Sequence, residues 1–223
     1  MDMKTAILFT GKIESLALDI LIEQTKDIKN KYASIWQNED TKYIVKLTNN
    51  NFKIIYNDIK QQRIFKPQPI TIFNGLNYLK EKGYEYILRT RFDIVSPDYN
   101  KYLNLVSELY PENITVIAGI ETSTIYFLDI IVSGKINDMC NFFKLQPIND
   151  YRYYEKFFIE SYSNKINLTK EEIRNVLNFS LNDCIGNNIE FIWYRPFSWK
   201  SPSITYPDMR VIKEYCKSTC IWV

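Results

Sequence analysis

Apolar positions recur along this chain in two rhythms. In the first 110 residues, short apolar runs alternate with stretches where apolar residues return every three or four positions. "TAILFT" (Thr5 to Thr10) is a nearly continuous apolar run closed by Gly11, the pattern of a buried strand. From about Ser15, the residues Leu18, Leu21 and Ile22 fall on one face of a helix. Runs at Tyr32 to Trp36 and Phe52 to Asp58 predict two more strands. Pro67 and Pro69 introduce a helix over "ITIFNGLNYLKEKG", with Ile72, Leu76 and Leu79 at helical spacing and Gly83 placed for its C-terminal cap. A fourth strand starts at Tyr84, and Tyr99, Leu103, Val106 and Leu109 mark another helix.

The second half is less regular. Ile114 to Ile120 and Thr124 to Gly134 read as strands. Ile136, Met139 and Phe143 form one helical stripe, and Tyr154, Phe157, Phe158 and Tyr162 form another. Thr169 and Glu172 have the spacing of a capping box, predicting a helix through about Leu177. "IEFIWY" predicts a late strand. No repeat and no Gly/Ser or Pro-rich linker divides residues 1–223, so a single domain is expected. The alternation of strand and helix predicts α/β layering around a mainly parallel sheet. In such sheets ligands bind beyond the carboxyl ends of the strands. Gly11, Trp36 and Asp93 all fall at or just past such ends, so one edge of the sheet should gather them.

Composition narrows the chemistry. Lys and Arg number 28 against 26 Asp and Glu, a net charge of +2 that carries no strong attraction to nucleic acid or anionic membrane. No run of about 18 apolar residues exists, and the short amino-terminal run is broken by Gly11 and Lys12; both point to a cytoplasmic protein without a spanning segment. None of the four cysteines forms a C-x-x-C pair, and there is no histidine, which argues against structural zinc. The missing histidine also removes Ser-His-Asp and Cys-His catalysis, so acid–base work falls to Asp, Glu, Lys, Tyr or Cys.

The fourth strand carries the most unusual chemistry. "YILRTRFDI" leaves an apolar run through Arg89, Arg91 and Asp93, which share a face if the strand continues. A carboxylate at a strand end can hold a divalent cation that bridges two phosphates, and guanidinium groups bind phosphate oxygens in pairs. The set could neutralise a diphosphate; the alternative is a local Arg–Asp salt bridge. Asp129 interrupts the apolar run "IYFLDIIVSG", where an unpaired buried carboxylate would cost several kcal/mol. It is a candidate general base, or else it faces solvent. Glu155, on the aromatic-rich helix, is the second candidate base, or a solvated position. Thr10, Gly11 and Lys12 form the first strand-to-loop turn, where glycine lets backbone approach a base or ribose. "WYRPFSWK" mixes aromatic and basic residues, the pattern of a half-buried cluster or a sugar-stacking surface.

"YILRTRFDI" resembles the K-T-R-S-D-type signature of the WavE lipopolysaccharide-synthesis family. "LFTGKI", "YASIWQNED", "FLDIIVSGKINDM" and "YYEKFFIESY" resemble further pieces of that family in the same order, over roughly residues 5 to 165. The resemblance implies the GT-A fold of nucleotide-diphospho-sugar transferases, a Rossmann-like mixed, mainly parallel sheet flanked by helices. It implies a glycosyltransferase that takes a nucleotide-sugar donor and a glycan acceptor, in the cytoplasm or at the membrane bearing the acceptor. Thr10, Gly11, Lys12, Trp36, Arg89, Arg91 and Asp93 would then bind the donor, with Asp129 or Glu155 as base. Asp93 matches the second aspartate of an Asp-x-Asp metal motif and Arg91 replaces the first, so Mn²⁺ or Mg²⁺ is either held by Asp93 or made dispensable by Arg91. Two other readings stand beside this one. A sugar nucleotidyltransferase would want a glycine-rich, lysine-bearing loop, of which "TGKIES" is a poor version. An inactive glycan-binding domain is the non-enzyme reading.

Overall fold

The computed structural model describes residues 4–13, 15–63, 67–112, 114–117, 131–145, 154–165, 167–169, 171–173, 177–179, 189 and 192–193. The first three strands, β1 (Thr5–Thr10), β2 (Lys31–Trp36) and β3 (Lys53–Asn57), are joined by helices α1 (Ser15–Gln24) and α2 (Thr41–Asn49). Helix α3 (Pro67–Glu81) then leads to β4 (Tyr86–Arg91), and α4 (Tyr99–Leu109) follows. Beyond it lie β6 (Ile114–Ile117), β7 (Ile131–Lys135), α5 (Ile136–Phe142), α6 (Tyr154–Ser163) and β8 (Leu177–Phe179). A small antiparallel pair, β5 (Ile94–Val95) with β9 (Ile192–Trp193), stands apart from the main sheet.

Among the described residues the main sheet has seven strands in the order β3-β2-β1-β4-β7-β6-β8. Six run in one direction; β7 is antiparallel to both of its neighbours, β4 and β6. Strand alternation sends β1 side chains to two cores. Ile7 and Phe9 meet α1 and α4 through Leu18, Leu21, Tyr99 and Tyr102. Ala6 and Leu8 meet α3, α5 and α6 through Leu76, Leu79, Met139, Phe142 and Phe158. The result is a three-layer α/β/α arrangement. The crossovers explain it: β1 to β2 and β2 to β3 step outward with their helices on one face. The return to β4 reverses direction, so a right-handed crossover must put α3 on the other face.

Most of the expected elements form where the pattern places them, with four differences. Helix α2 was not foreseen. Its Thr, Ile and Val residues are weak helix formers, and its start is set by Asp40, whose carboxylate accepts from the Lys42 N–H at 3.0 Å. The fourth strand runs past Leu88 to Arg91. The Thr169–Glu172 capping box forms as expected, Thr169 N–H donating to Glu172 Oε2 at 2.9 Å and Glu172 N–H to Thr169 Oγ1 at 3.2 Å. The helix that opens at 171 does not extend through Leu177 as expected, because Leu177–Phe179 are a strand beside β6. Finally, of the strand expected over Thr124 to Gly134, only the part from Ile131 lies within the described residues.

Candidate functional site

The carboxyl ends of four parallel strands lie side by side: Asn57 of β3, Trp36 of β2, Thr10 of β1 and Arg91 of β4. Trp36 stands opposite Asn57, and Thr10 opposite Arg91. Between β1 and β4 the strand order reverses, because the chain leaves β1 toward β2 on one side and returns to β4 on the other. Crevices of this kind, outside the carboxyl ends at the reversal, are where open α/β sheets take ligands.

Gly11 follows β1 with φ +89°, a left-handed conformation that a side chain strains, although nothing lies within 4 Å of where a Cβ would stand. The demand on glycine is therefore one of backbone conformation. Only residues 11–14 separate β1 from α1, with Lys12 exposed. Trp36 is half-buried at the end of β2.

Because β4 continues to Arg91, Arg89 and Arg91 do point to one face, but they have different surroundings. Arg89 is wholly buried. Its Nε donates to Thr10 Oγ1 at 3.0 Å and its guanidinium lies 6.0 Å from the Phe143 ring centroid. It ties β4 to β1 beneath the edge and presents no surface to a ligand. Arg91 ends the strand with a side chain 25% exposed. The chain then turns at Phe92, whose N–H donates to Thr10 O at 3.2 Å and whose ring packs near Phe9, centroids 6.0 Å apart. That turn brings Asp93 back onto Arg91. Nε donates to Oδ1 and Nη2 to Oδ2, both at 2.7 Å. Tyr99 fixes the far side of the turn by donating to Ile94 O. Burial pushes the Tyr99 phenol far up, and the nearby Asp93 carboxylate pushes it the same way.

Two contributors to this edge were not foreseen. Asn57 is buried at the end of β3 and donates to Ser34 Oγ at 3.0 Å and Ile35 O at 2.8 Å. Asn74 of α3 donates to Asn57 Oδ1 at 2.9 Å and Gln61 Oε1 at 3.0 Å. This amide network fastens the ends of β2 and β3 to α3. Its only sequence signal is a polar Asn-Asp pair closing an apolar run. Tyr99 is the other, hidden because its position fits an ordinary helical stripe. Of the two candidate bases, Asp129 lies outside the described residues, and Glu155 falls on α6 with its side chain outside them.

The Mn²⁺ or Mg²⁺ that an Asp-x-Asp site would hold has a poor donor set here. Both Asp93 oxygens are already engaged by a cation, and no group of three or more His, Cys, Asp or Glu gathers among the described residues. Among those residues, no helix is long and apolar enough to cross a membrane.

No protein-family model matches this chain, and no curated protein does. Solved structures do. A Bacillus anthracis protein assigned as a glucose-1-phosphate thymidylyltransferase, crystallised with sucrose, superposes with a TM-score of 0.51 at 12% identity, over 80% of this chain and 86% of that one. A cytidylyltransferase from Leptospira borgpetersenii gives 0.42 at 15% identity, over 63% and 64%. The 4-diphosphocytidyl-2C-methyl-D-erythritol synthase from Anaerococcus prevotii gives 0.47 at 13%, over 78% and 96%. At 12% identity the likeness to the first of these is one of fold. The chain shares the Rossmann-like α/β fold of that thymidylyltransferase.

Proposed function

We propose that this chain is a nucleotide-dependent transferase of sugar metabolism, with the nucleotide bound over the β1–β4 crevice and its diphosphate at Arg91. The observation that carries this is the placement of Gly11, Lys12 and Arg91 at the adjoining carboxyl ends of β1 and β4, where the strand order reverses. A left-handed glycine turn admits a close backbone approach, and an exposed lysine and a partly exposed arginine supply charge for phosphate oxygens.

Two reactions use such a site, and both expel a diphosphate. In nucleotidyl transfer, a sugar-phosphate oxygen attacks the α-phosphorus of a nucleoside triphosphate and pyrophosphate leaves. In glycosyl transfer, an acceptor hydroxyl attacks the sugar's anomeric carbon and a nucleoside diphosphate leaves. Nucleotidyl transfer is supported by the assigned activity of the thymidylyltransferase that superposes on most of the chain. Glycosyl transfer to a glycan is supported by the resemblance to the WavE family and by one specific feature. The β1–α1 link is residues 11–14 alone, with one glycine, too short to wrap a triphosphate in backbone N–H groups. In that reading Asp129 or Glu155 takes the acceptor proton.

One assay separates the readings. The protein is incubated with each nucleoside triphosphate plus glucose 1-phosphate, and separately with UDP-, GDP- and dTDP-sugars. Pyrophosphate release in the first set supports nucleotidyl transfer. Nucleoside diphosphate release in the second, with none in the first, supports glycosyl transfer. Neither release, together with no nucleotide binding, would overturn the proposal in favour of a non-enzymatic domain.

A further inference from the structure

We infer that Asp93 is a positioning residue for Arg91 rather than a metal ligand, so that the anion site at this sheet edge works without a divalent cation. The inference rests on the nucleotide reading above and goes beyond it by assigning the charge that replaces the metal.

The geometry runs from the strand outward. Arg91 is the last residue of β4, so its backbone is held in the sheet opposite Thr10. Asp93 follows after a single turn residue, Phe92, which is buried and anchored to β1 through Thr10 O. Asp93 therefore has little freedom to leave. Its side chain is 5% exposed, against 25% for Arg91. A carboxylate that bound a hydrated cation would need an open side. This one is the more enclosed member of the pair, and the Arg91 guanidinium covers both of its oxygens at 2.7 Å.

Charge points the same way. A dication brought to Asp93 would meet a guanidinium within hydrogen-bonding distance of the same oxygens, and like charges that close repel strongly. The guanidinium itself presents five N–H donors in a rigid plane. Asp93 engages its Nε and Nη2 side, which directs the Nη1 end away from the carboxylate. The pair thus holds the Arg91 guanidinium in a fixed orientation at the strand end, with its charge balanced locally by Asp93.

The test uses the full chain and two readouts. Mn²⁺ is titrated into wild type and Asp93→Asn, followed by electron paramagnetic resonance, without nucleotide. Binding of UDP, GDP and dTDP is then measured calorimetrically in EDTA and in excess Mn²⁺. The proteins are wild type, Asp93→Asn, Arg91→Lys and Arg91→Ala, with unliganded melting confirming that each is folded. The expected result is no Mn²⁺ site that depends on Asp93, and nucleoside diphosphate affinity that changes less than about threefold between EDTA and Mn²⁺. Arg91→Ala should weaken binding by about tenfold or more, as loss of charge-assisted hydrogen bonds does. Arg91→Lys should recover only part, because a point charge replaces the fork. Asp93→Asn should weaken binding less than Arg91→Ala and leave it equally indifferent to metal. A Mn²⁺ site abolished by Asp93→Asn overturns the inference whether or not a nucleotide binds. So does diphosphate binding that vanishes in EDTA. Folded wild type that binds no nucleoside diphosphate under either condition overturns the nucleotide reading and Arg91's role together.

Discussion

Two threonines show how much a single buried hydroxyl depends on its partner. Thr10 and Thr115 are both fully buried on the main sheet. The Thr10 hydroxyl accepts from Arg89 Nε at 3.0 Å and donates to Thr90 O at 3.4 Å. Among the described residues the Thr115 hydroxyl makes no hydrogen bond of good geometry, and neither do the neighbouring hydroxyls of Ser133 and Tyr86. Thr→Val keeps the shape and removes only the hydroxyl, so the two sites should respond with opposite sign. Thr10→Val removes an acceptor from a buried guanidinium and should cost about 1.5–3 kcal/mol. Thr115→Val replaces an unsatisfied polar atom with a methyl and should be neutral or stabilising by up to about 1 kcal/mol. Urea denaturation checks both, as midpoint shifts at unchanged slope. The same scale shows what the sequence could convey about the site. Arg89, Arg91 and Asp93 stood out as charges on an apolar strand. The Arg91–Asp93 salt bridge was one of the two readings open from the residues, but that Arg89 would be sealed beneath the edge depends on where β4 stops and Phe92 turns inward. Side-chain pattern does not encode that point.

At the scale of elements, α3 is fastened to the ends of β2 and β3 through Asn74, and it comes close to the sheet at Gly75. A Cβ placed there would lie 2.8 and 2.9 Å from the two Leu8 Cδ atoms and 3.2 Å from Ser34 Cβ. Leu8 and Ser34 are themselves fully buried on β1 and β2, so neither can swing aside. Gly75→Ala gains about 1 kcal/mol of helix propensity. It should lose more through overpacking, for a net destabilisation of about 1–2 kcal/mol, measured again by urea midpoint. A mid-helix glycine is a recognisable sign of close approach, and the apolar periods that placed α1, α3, α4, α5 and α6 were equally readable. Helix α2 was not, since a β-branched "TKYIVKLTN" carries little helical preference and only the Asp40 cap marks its start. The Thr169–Glu172 box misled in the other direction. Its capping bonds form, but they set only a helix start, and the Leu177–Phe179 segment is claimed by pairing with β6.

For the whole molecule, the alternation of strands and helices was enough to predict a mainly parallel sheet and a functional edge at its carboxyl ends. It could not reveal that β7 enters between β4 and β6 in the opposite direction, because apolar runs carry no sign of strand direction. That insertion has a consequence for stability. It brings Ser133 of β7 and Thr115 of β6 to the phenol of Tyr86 on β4, all inside the core. Burial pushes the Tyr86 phenol up to about 12 from an ordinary 10, and the Ser133 and Thr115 hydroxyls, close by but without good hydrogen-bond geometry, offset only part of that rise. Burial raises Tyr84, Tyr99 and Tyr162 as well. A raised folded value means that the native state holds its proton after the unfolded chain has lost it. The associated stability is therefore complete below pH 10 and disappears as pH climbs toward 12. Lys31 opposes this trend. Desolvation lowers its folded value below 10.5, so its burial penalty is relieved as pH approaches that value. Among the described residues, the four raised phenols and the Cys140 thiol, also raised by burial, outweigh the one depressed ammonium and predict a net fall in stability above pH 10. Tyr86→Phe isolates one contribution. It should leave stability at neutral pH unchanged or slightly higher, because the lost hydroxyl makes no hydrogen bond of good geometry among the described residues. Between pH 10 and 12 it should make the decline shallower by about 2–3 kcal/mol. Urea midpoints measured across that range for wild type and Tyr86→Phe decide the matter. Parallel declines would mean that the Tyr86 phenol ionises as readily in the core as in the unfolded chain, and that water reaches the Tyr86–Ser133–Thr115 cluster.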